Sequence, residues 1–129
     1  MYKPALVAGA LLGGLAVILG AFGAHSLKQI LTPDQVQVFE TGVRYNFYHC
    51  FALLAAGILY SSFPFANIRW GTLFFIIGII LFSGSLYLFP VLEAKGFGIP
   101  VIGRLITPLG GLFFILGWLE LFLSIIKKK

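Results

Sequence analysis

The fold this sequence predicts is all-α, an integral membrane four-helix bundle, and three observations predict it. Of 129 residues, 60% are hydrophobic and only 10% are charged, where soluble domains carry about a quarter charged residues. The apolar residues gather into four runs, each close to the roughly 20 residues a helix needs to cross a hydrocarbon core. Uncharged runs of that length must be helical, because lipid offers no hydrogen-bond partner to an open backbone. A water-soluble chain of this size has too little interior to hide so much apolar surface. A soluble enzyme, a disordered tail and a disulfide scaffold are excluded, leaving a single membrane domain over residues 1–129.

The first span covers residues 4–24. Lys3 precedes it, and Ala21 and Gly23 imitate a small-x-small cleavage site. The run nevertheless exceeds the usual core of a secretory signal, so an uncleaved first helix is expected. Thr32-Pro33-Asp34-Gln35 then reads as a capping box, with Pro at the first helical position and an acid in the first turn. It opens an amphipathic lead-in ahead of the second span, residues 45–63. Val36, Phe39 and Val43 form the apolar face of this lead-in, and Gln37, Glu40 and Arg44 take the others. It is expected at the membrane surface, continuous with the span or bent near Gly42.

A tight Ser61–Ile68 link leads to the third span, residues 70–89. Gly96, Gly98, Pro100 and Gly103 predict an irregular interfacial loop from Pro90 to Leu105. Thr107-Pro108 reads as an N-cap with Pro at the first helical position, opening the fourth span, residues 108–126.

The net charge of +5 does not form the basic stripe that nucleic acid requires. Lys and Arg stand singly beside apolar spans, where they orient helices. Lys3, Arg69 and the lysines at 127–129 fall on one side of a four-span topology, and Lys28, Arg44, Lys95 and Arg104 on the other. The lysine run abuts the last span, which places both termini in the cytoplasm of a multi-pass plasma (inner) membrane protein. Cys50 is the only cysteine, so no intrachain disulfide forms, and its plain role is that of a small packing residue.

Between helices in lipid, association rests on close contact and interhelical hydrogen bonds. Gly9 and Gly13, extended by Ala16, Gly20 and Ala24, make a small-residue stripe; Gly71, Gly78 and Ser85 make another, as do Gly110 and Gly117. They predict tight bundle packing or a homo-oligomer seam.

Tyr45 and His49 lie one turn apart, and Ala52 and Ala56 continue their face, which should look inward while Phe47 and Phe51 look elsewhere. Under this topology His25, Glu40, Arg44, Tyr45, His49, Ser83, Ser85, Tyr87 and Thr107 share one leaflet, with Glu40 and Arg44 as an i,i+4 pair. The expectation is a polar network or a ligand pocket near the outer face. Two histidines suit zinc, copper or haem iron, yet a closed structural zinc site takes about four ligands and no further paired Cys or His exists.

Glu120 stands apart, about 12 residues into the fourth span and roughly 10 Å below the lysines. Gly117 and Ser124 share its face. An intramembrane acid is either an ion or proton site, or a partner for Lys3, Arg69 or Lys127. Neither a GxSxG, a P-loop nor an HExxH motif occurs, so the chain leans away from catalysis.

Gly20-Ala21-Phe22-Gly23-Ala24-His25 resembles the signature that ends the first helix of the domain of unknown function 423 family, which includes the transmembrane protein 256 group. Further matches follow in order: Phe39, Thr41, Val43, Tyr45 and His49, then Phe82-Ser83-Gly84-Ser85-Leu86-Tyr87, then Thr107-Pro108 with Gly110, Gly111, Gly117 and Trp118. Gly42, Asn46 and Cys50 stand where the family would have Ala, Gln and Ala. The resemblance covers nearly the whole chain. It implies a small four-helix membrane protein, supplies no activity or cofactor, and directs attention to His25, Tyr45, His49 and residues 83–87.

Three functions follow from these features. The first is a non-enzymatic binding or accessory protein that engages a lipid, a small molecule or another membrane protein. The second is a redox, quinone or metal-associated subunit using His25 and His49. The third is a proton- or ion-coupled transporter using Glu120.

Overall fold

Helix starts in this chain are set by local chemistry, and the clearest is at Thr32. Its hydroxyl accepts from the Gln35 amide at 3.2 Å, and the Gln35 side chain accepts from the Thr32 amide at 3.0 Å. Pro33 takes the first helical position and Asp34 the first turn, so orphan amides at this end are satisfied and the dipole is complemented. The computed structural model describes residues 1–64 and 66–127. Phe65, Lys128 and Lys129 lie outside the described residues, and with them part of the terminal lysine run.

Helix α1 runs Lys3–His25 and closes in a single 3₁₀ turn, Leu27–Gln29. Helix α2 runs Pro33–Leu59 without interruption, so the lead-in and the second apolar run are one helix, unbroken at Gly42. Helix α3, Ala66–Gly78, passes through a π-helical segment, Ile79–Ser83, into α4, Gly84–Ala94. A short helix α5, Val101–Arg104, leads into α6, Ile106–Ile126. The described residues contain no strand. Three stretches are long and apolar enough to cross a membrane: Lys3–Gln29, Ala66–Ala94 and Val101–Ile126. Helix α2 matches them in length but carries Glu40, Arg44, Asn46 and His49.

Three expectations need correction. Pro90 does not begin a loop; it lies inside α4, which continues to Ala94. The turn beyond it is held by Val91, which packs on the Leu27, Leu31 and Phe39 cluster and offsets the bond that Pro90 cannot donate. Thr107 does not cap α6, which opens at Ile106. Its hydroxyl goes to Ser85 at 2.6 Å instead, a bond from another helix that a free cap would forgo. The third apolar run is not a regular helix either. At Gly110 an added Cβ would come within 2.8 Å of Phe82 Cα, so the widened π turn presses its backbone onto α6 at a residue with no side chain.

Packing follows the small residues. Helix α1 packs antiparallel on α2, and a Cβ at Gly9 would meet the Cys50 carbonyl at 3.0 Å. Helix α3 packs on α6, where a Cβ at Gly117 would meet the Phe75 ring at 2.6 Å. The core between the pairs is built from Cys50, Ala52, Leu53, Phe75, Ile79 and Phe114. Outward, Leu11, Ile18 and Ile115 are about two-thirds exposed, the inverse of a soluble protein's surface.

Both ends of the described chain meet at one end of the bundle. The Tyr2 amide donates to the Gly57 carbonyl at 2.9 Å, and the Arg69 guanidinium donates to the Tyr60 hydroxyl at 2.8 and 3.2 Å. Lys127 Nζ reaches Asn67 Oδ1 at 3.0 Å.

These contacts separate two glycine substitutions. Gly117→Ala drives a methyl into Phe75 and is expected to lower stability by about 1–3 kcal/mol. Gly14→Ala, whose Cβ meets nothing within 4 Å, should stay within about 1 kcal/mol of the parent. Thermal unfolding of the two variants in one detergent checks the difference.

Candidate functional site

The central groove lies between α2 and α6, whose backbones stay apart because α2 packs chiefly on α1 and α6 on α3. Helical spacing brings Tyr45, Tyr48 and His49 to one wall and Gly111, Phe114, Ile115 and Trp118 to the other, over a floor at Phe82. The cavity holds about 750 Å³. Its rim residues Tyr48, Leu112, Ile115 and Trp118 are exposed on the apolar flank, so it opens sideways from the bundle.

His49, only 4% exposed, anchors this groove. Its Nδ1 lies 2.7 Å from the Tyr45 carbonyl oxygen, which can only accept, so Nδ1 carries the proton and donates. The Trp118 indole N–H donates to Nε2 at 3.1 Å. Both ring nitrogens are thereby committed, with imidazole as the neutral Nδ1–H tautomer. The ring also stacks on Phe114, centroids 3.5 Å apart and planes 5° from parallel.

A second network lies behind this wall. Asn46 Nδ2 donates to the Tyr87 hydroxyl at 2.8 Å, and Cys50 Sγ donates to Asn46 Oδ1 at 3.2 Å. The Tyr87 hydroxyl passes its own proton to the Gly42 carbonyl at 3.3 Å. Asn46 is 1% exposed and ties α2 to α4. Its signal in the sequence is its place between Gly42 and Cys50 on one helical face. Ser85 donates to the Phe82 carbonyl at 2.8 Å, so the Thr107 hydroxyl must donate to Ser85. Ser83 is fully buried at the end of the π segment, and its hydroxyl has no hydrogen-bond partner among the described residues.

The nine polar residues expected together are divided. Tyr45 and His49 share the groove; Tyr87 joins Asn46, and Ser85 joins Thr107. His25 is exposed at the end of α1. Gly23 abuts Phe39 and Gly13 abuts Cys50 across the antiparallel pair, which sets His25 about ten residues, or some 15 Å, from His49 along the bundle. The register of α1 on α2 therefore keeps the two histidines apart. Among the described residues no three His, Cys, Asp or Glu side chains gather as a metal site. Glu40 and Arg44 do not form the expected pair either: Arg44 donates to the Thr41 hydroxyl at 3.0 Å, a shorter reach on the same helix.

Glu120 faces the start of α3. Asn67 Nδ2 donates to its carboxylate, and Asn67 Oδ1 accepts from Lys127. An amide thus stands between the acid and the lysine, a relay that a lone Asn ahead of an apolar span does not announce.

Long apolar helices exposing apolar flanks, around a polar seam, define a helical membrane protein. The family described as a protein of unknown function, DUF423, matches residues 19–111. A UPF0382 membrane protein of Staphylococcus saprophyticus is 40% identical over 97% of this chain and 98% of its own. The UPF0382 membrane protein YwdK of Bacillus subtilis is 36% identical over 97% and 98%, and the inner membrane protein YgdD of Escherichia coli is 30% identical over 96% and 90%. This chain belongs to that family of membrane proteins. No solved structure matches it.

Two outcomes follow from these networks. Nitrogen-15 NMR of His49 should show one protonated and one unprotonated ring nitrogen, and Trp118→Phe should shift the Nε2 resonance while leaving Nδ1 donating. Asn67→Leu strands both Glu120 and Lys127 and should cost about 1–3 kcal/mol. Glu120→Gln, which still accepts from Asn67, should cost less in the same thermal unfolding assay.

Proposed function

We propose that this protein is a multi-pass inner-membrane binding or accessory protein, and that the groove between α2 and α6 holds a lipid or a small apolar molecule. The observation that carries this is a cavity of about 750 Å³ on the apolar flank, walled by aromatic rings around one buried imidazole. Pockets for small ligands are of this size and character, mostly apolar with a few placed polar groups. In this reading all four long helices cross the bilayer as one domain over residues 1–129. Support for α2 as a crossing comes from its register, since it runs beside α1 from Gly57 at Leu6 to Phe39 at Gly23. Lys3, Arg69 and Lys127 at one end support cytoplasmic termini.

A binding role agrees with the hydrogen-bond accounting. Neither nitrogen of His49 is free to serve as a base, and the Cys50 thiol is spent on Asn46. The Asn67 bridge favours Glu120 as a structural partner over a transport site.

The test is the lipid content of protein purified in mild detergent. Native mass spectrometry should find one amphiphile retained per chain. Gly111→Leu, which fills the groove from α6, should remove it with helix content unchanged. Retention in a folded Gly111→Leu variant at the parent level would overturn the assignment.

A further inference from the structure

A second cavity, of about 320 Å³, lies beyond the groove toward the end of the bundle opposite the described chain ends. Asp34 and Val38 line it from α2, Leu86 and Glu93 from α4, with Arg104 and Thr107 ahead of and at the start of α6. The two cavities share their walls by helical spacing. Val38 and Tyr45 are two turns apart on one face of α2, Leu86 lies one turn beyond Phe82, and Thr107 adjoins Pro108. They have no lining residue in common but follow each other along the same helices, a seam with a charged upper chamber and an apolar lower one. From Val38 to His49 the seam runs about 16 Å along α2, the depth of one leaflet of a hydrocarbon core roughly 30 Å thick.

The chemistry of the upper chamber names a headgroup. Arg104 and Glu93 face each other at 3.9 Å with side chains 66% and 40% exposed, a loose pair that leaves donors and lone pairs unused. Two carboxylates accept charge-assisted bonds from a primary ammonium, and a guanidinium matches a phosphate. A trimethylammonium group would instead call for an aromatic cage, and among the described residues only Phe89 lines the chamber with an aromatic ring. We propose that the seam binds an aminophospholipid of the phosphatidylethanolamine type, its ammonium at Asp34 and Glu93, its phosphate at Arg104 and an acyl chain in the lower groove. This rests on the groove assignment above and adds the class of lipid.

The experiment is competition in detergent micelles between short-chain phosphatidylethanolamine, phosphatidylcholine and phosphatidylglycerol, read by native mass spectrometry. The parent should retain the ethanolamine lipid about tenfold over either competitor. The double variant Asp34→Asn, Glu93→Gln changes two exposed side chains and should bring that ratio near one while still retaining lipid. Arg104→Gln should lower retention of all three. An equal or greater affinity for phosphatidylglycerol, or a preference surviving in the double variant, overturns the inference. If headgroup variants change nothing but Gly111→Leu strips the lipid, the groove assignment stands and the headgroup assignment falls. If Gly111→Leu strips nothing, both fall.

Discussion

The hydrogen bond from Trp118 to His49 joins two helices whose backbones stay apart, α2 packing chiefly on α1 and α6 on α3. Without it α2 and α6 have no shared polar contact at this depth, and the space between them has no reason to stay open at a fixed width. The Phe114 stack and the Tyr45 carbonyl hold the imidazole from two more directions, so the ring acts as a spacer with no freedom to turn. In an apolar medium an unpaired ring nitrogen is costly. A bundle that buries a histidine there is committed to keeping both partners in place.

The rest of the architecture serves that spacing. Helix pairs α1–α2 and α3–α6 close tightly through glycine contacts, which leaves the looser boundary between α2 and α6 to the aromatic side chains. The π segment supplies the floor. Its wider turn turns Phe82 beneath the groove and sets its backbone against Gly110, and the same distortion leaves Ser83 buried with its hydroxyl unanswered among the described residues. Behind the wall, Asn46 and Tyr87 fix α2 to α4, so the groove is framed on two sides by hydrogen bonds and on the third by packing.

Much of the fold was legible because each helix carries its own signals. The capping box at Thr32, the apolar runs and the glycine stripes are local patterns, and each marks a helix or a helix contact, although the third run is interrupted by the π segment. The site was legible only in part. Tyr45 and His49 share a face by spacing alone, but their partners Trp118 and Phe114 lie some seventy residues away. Nothing local pairs an aromatic residue on one helix with a histidine on another. Asn67 was hidden for the same reason, its two partners being at the far end of the chain.

By itself the sequence determined that this protein is helical, lives in a membrane and packs through small residues, because hydrophobicity and periodicity act within a single helix. The tertiary structure decided which polar residues meet. It separated His25 from His49 by the register of α1 on α2, moved Thr107 from a cap to a partner of Ser85, and made a groove where the backbones of two helices stay apart. Those outcomes depend on offsets between helices, and an offset is a property of the packed bundle that no single stretch of sequence contains.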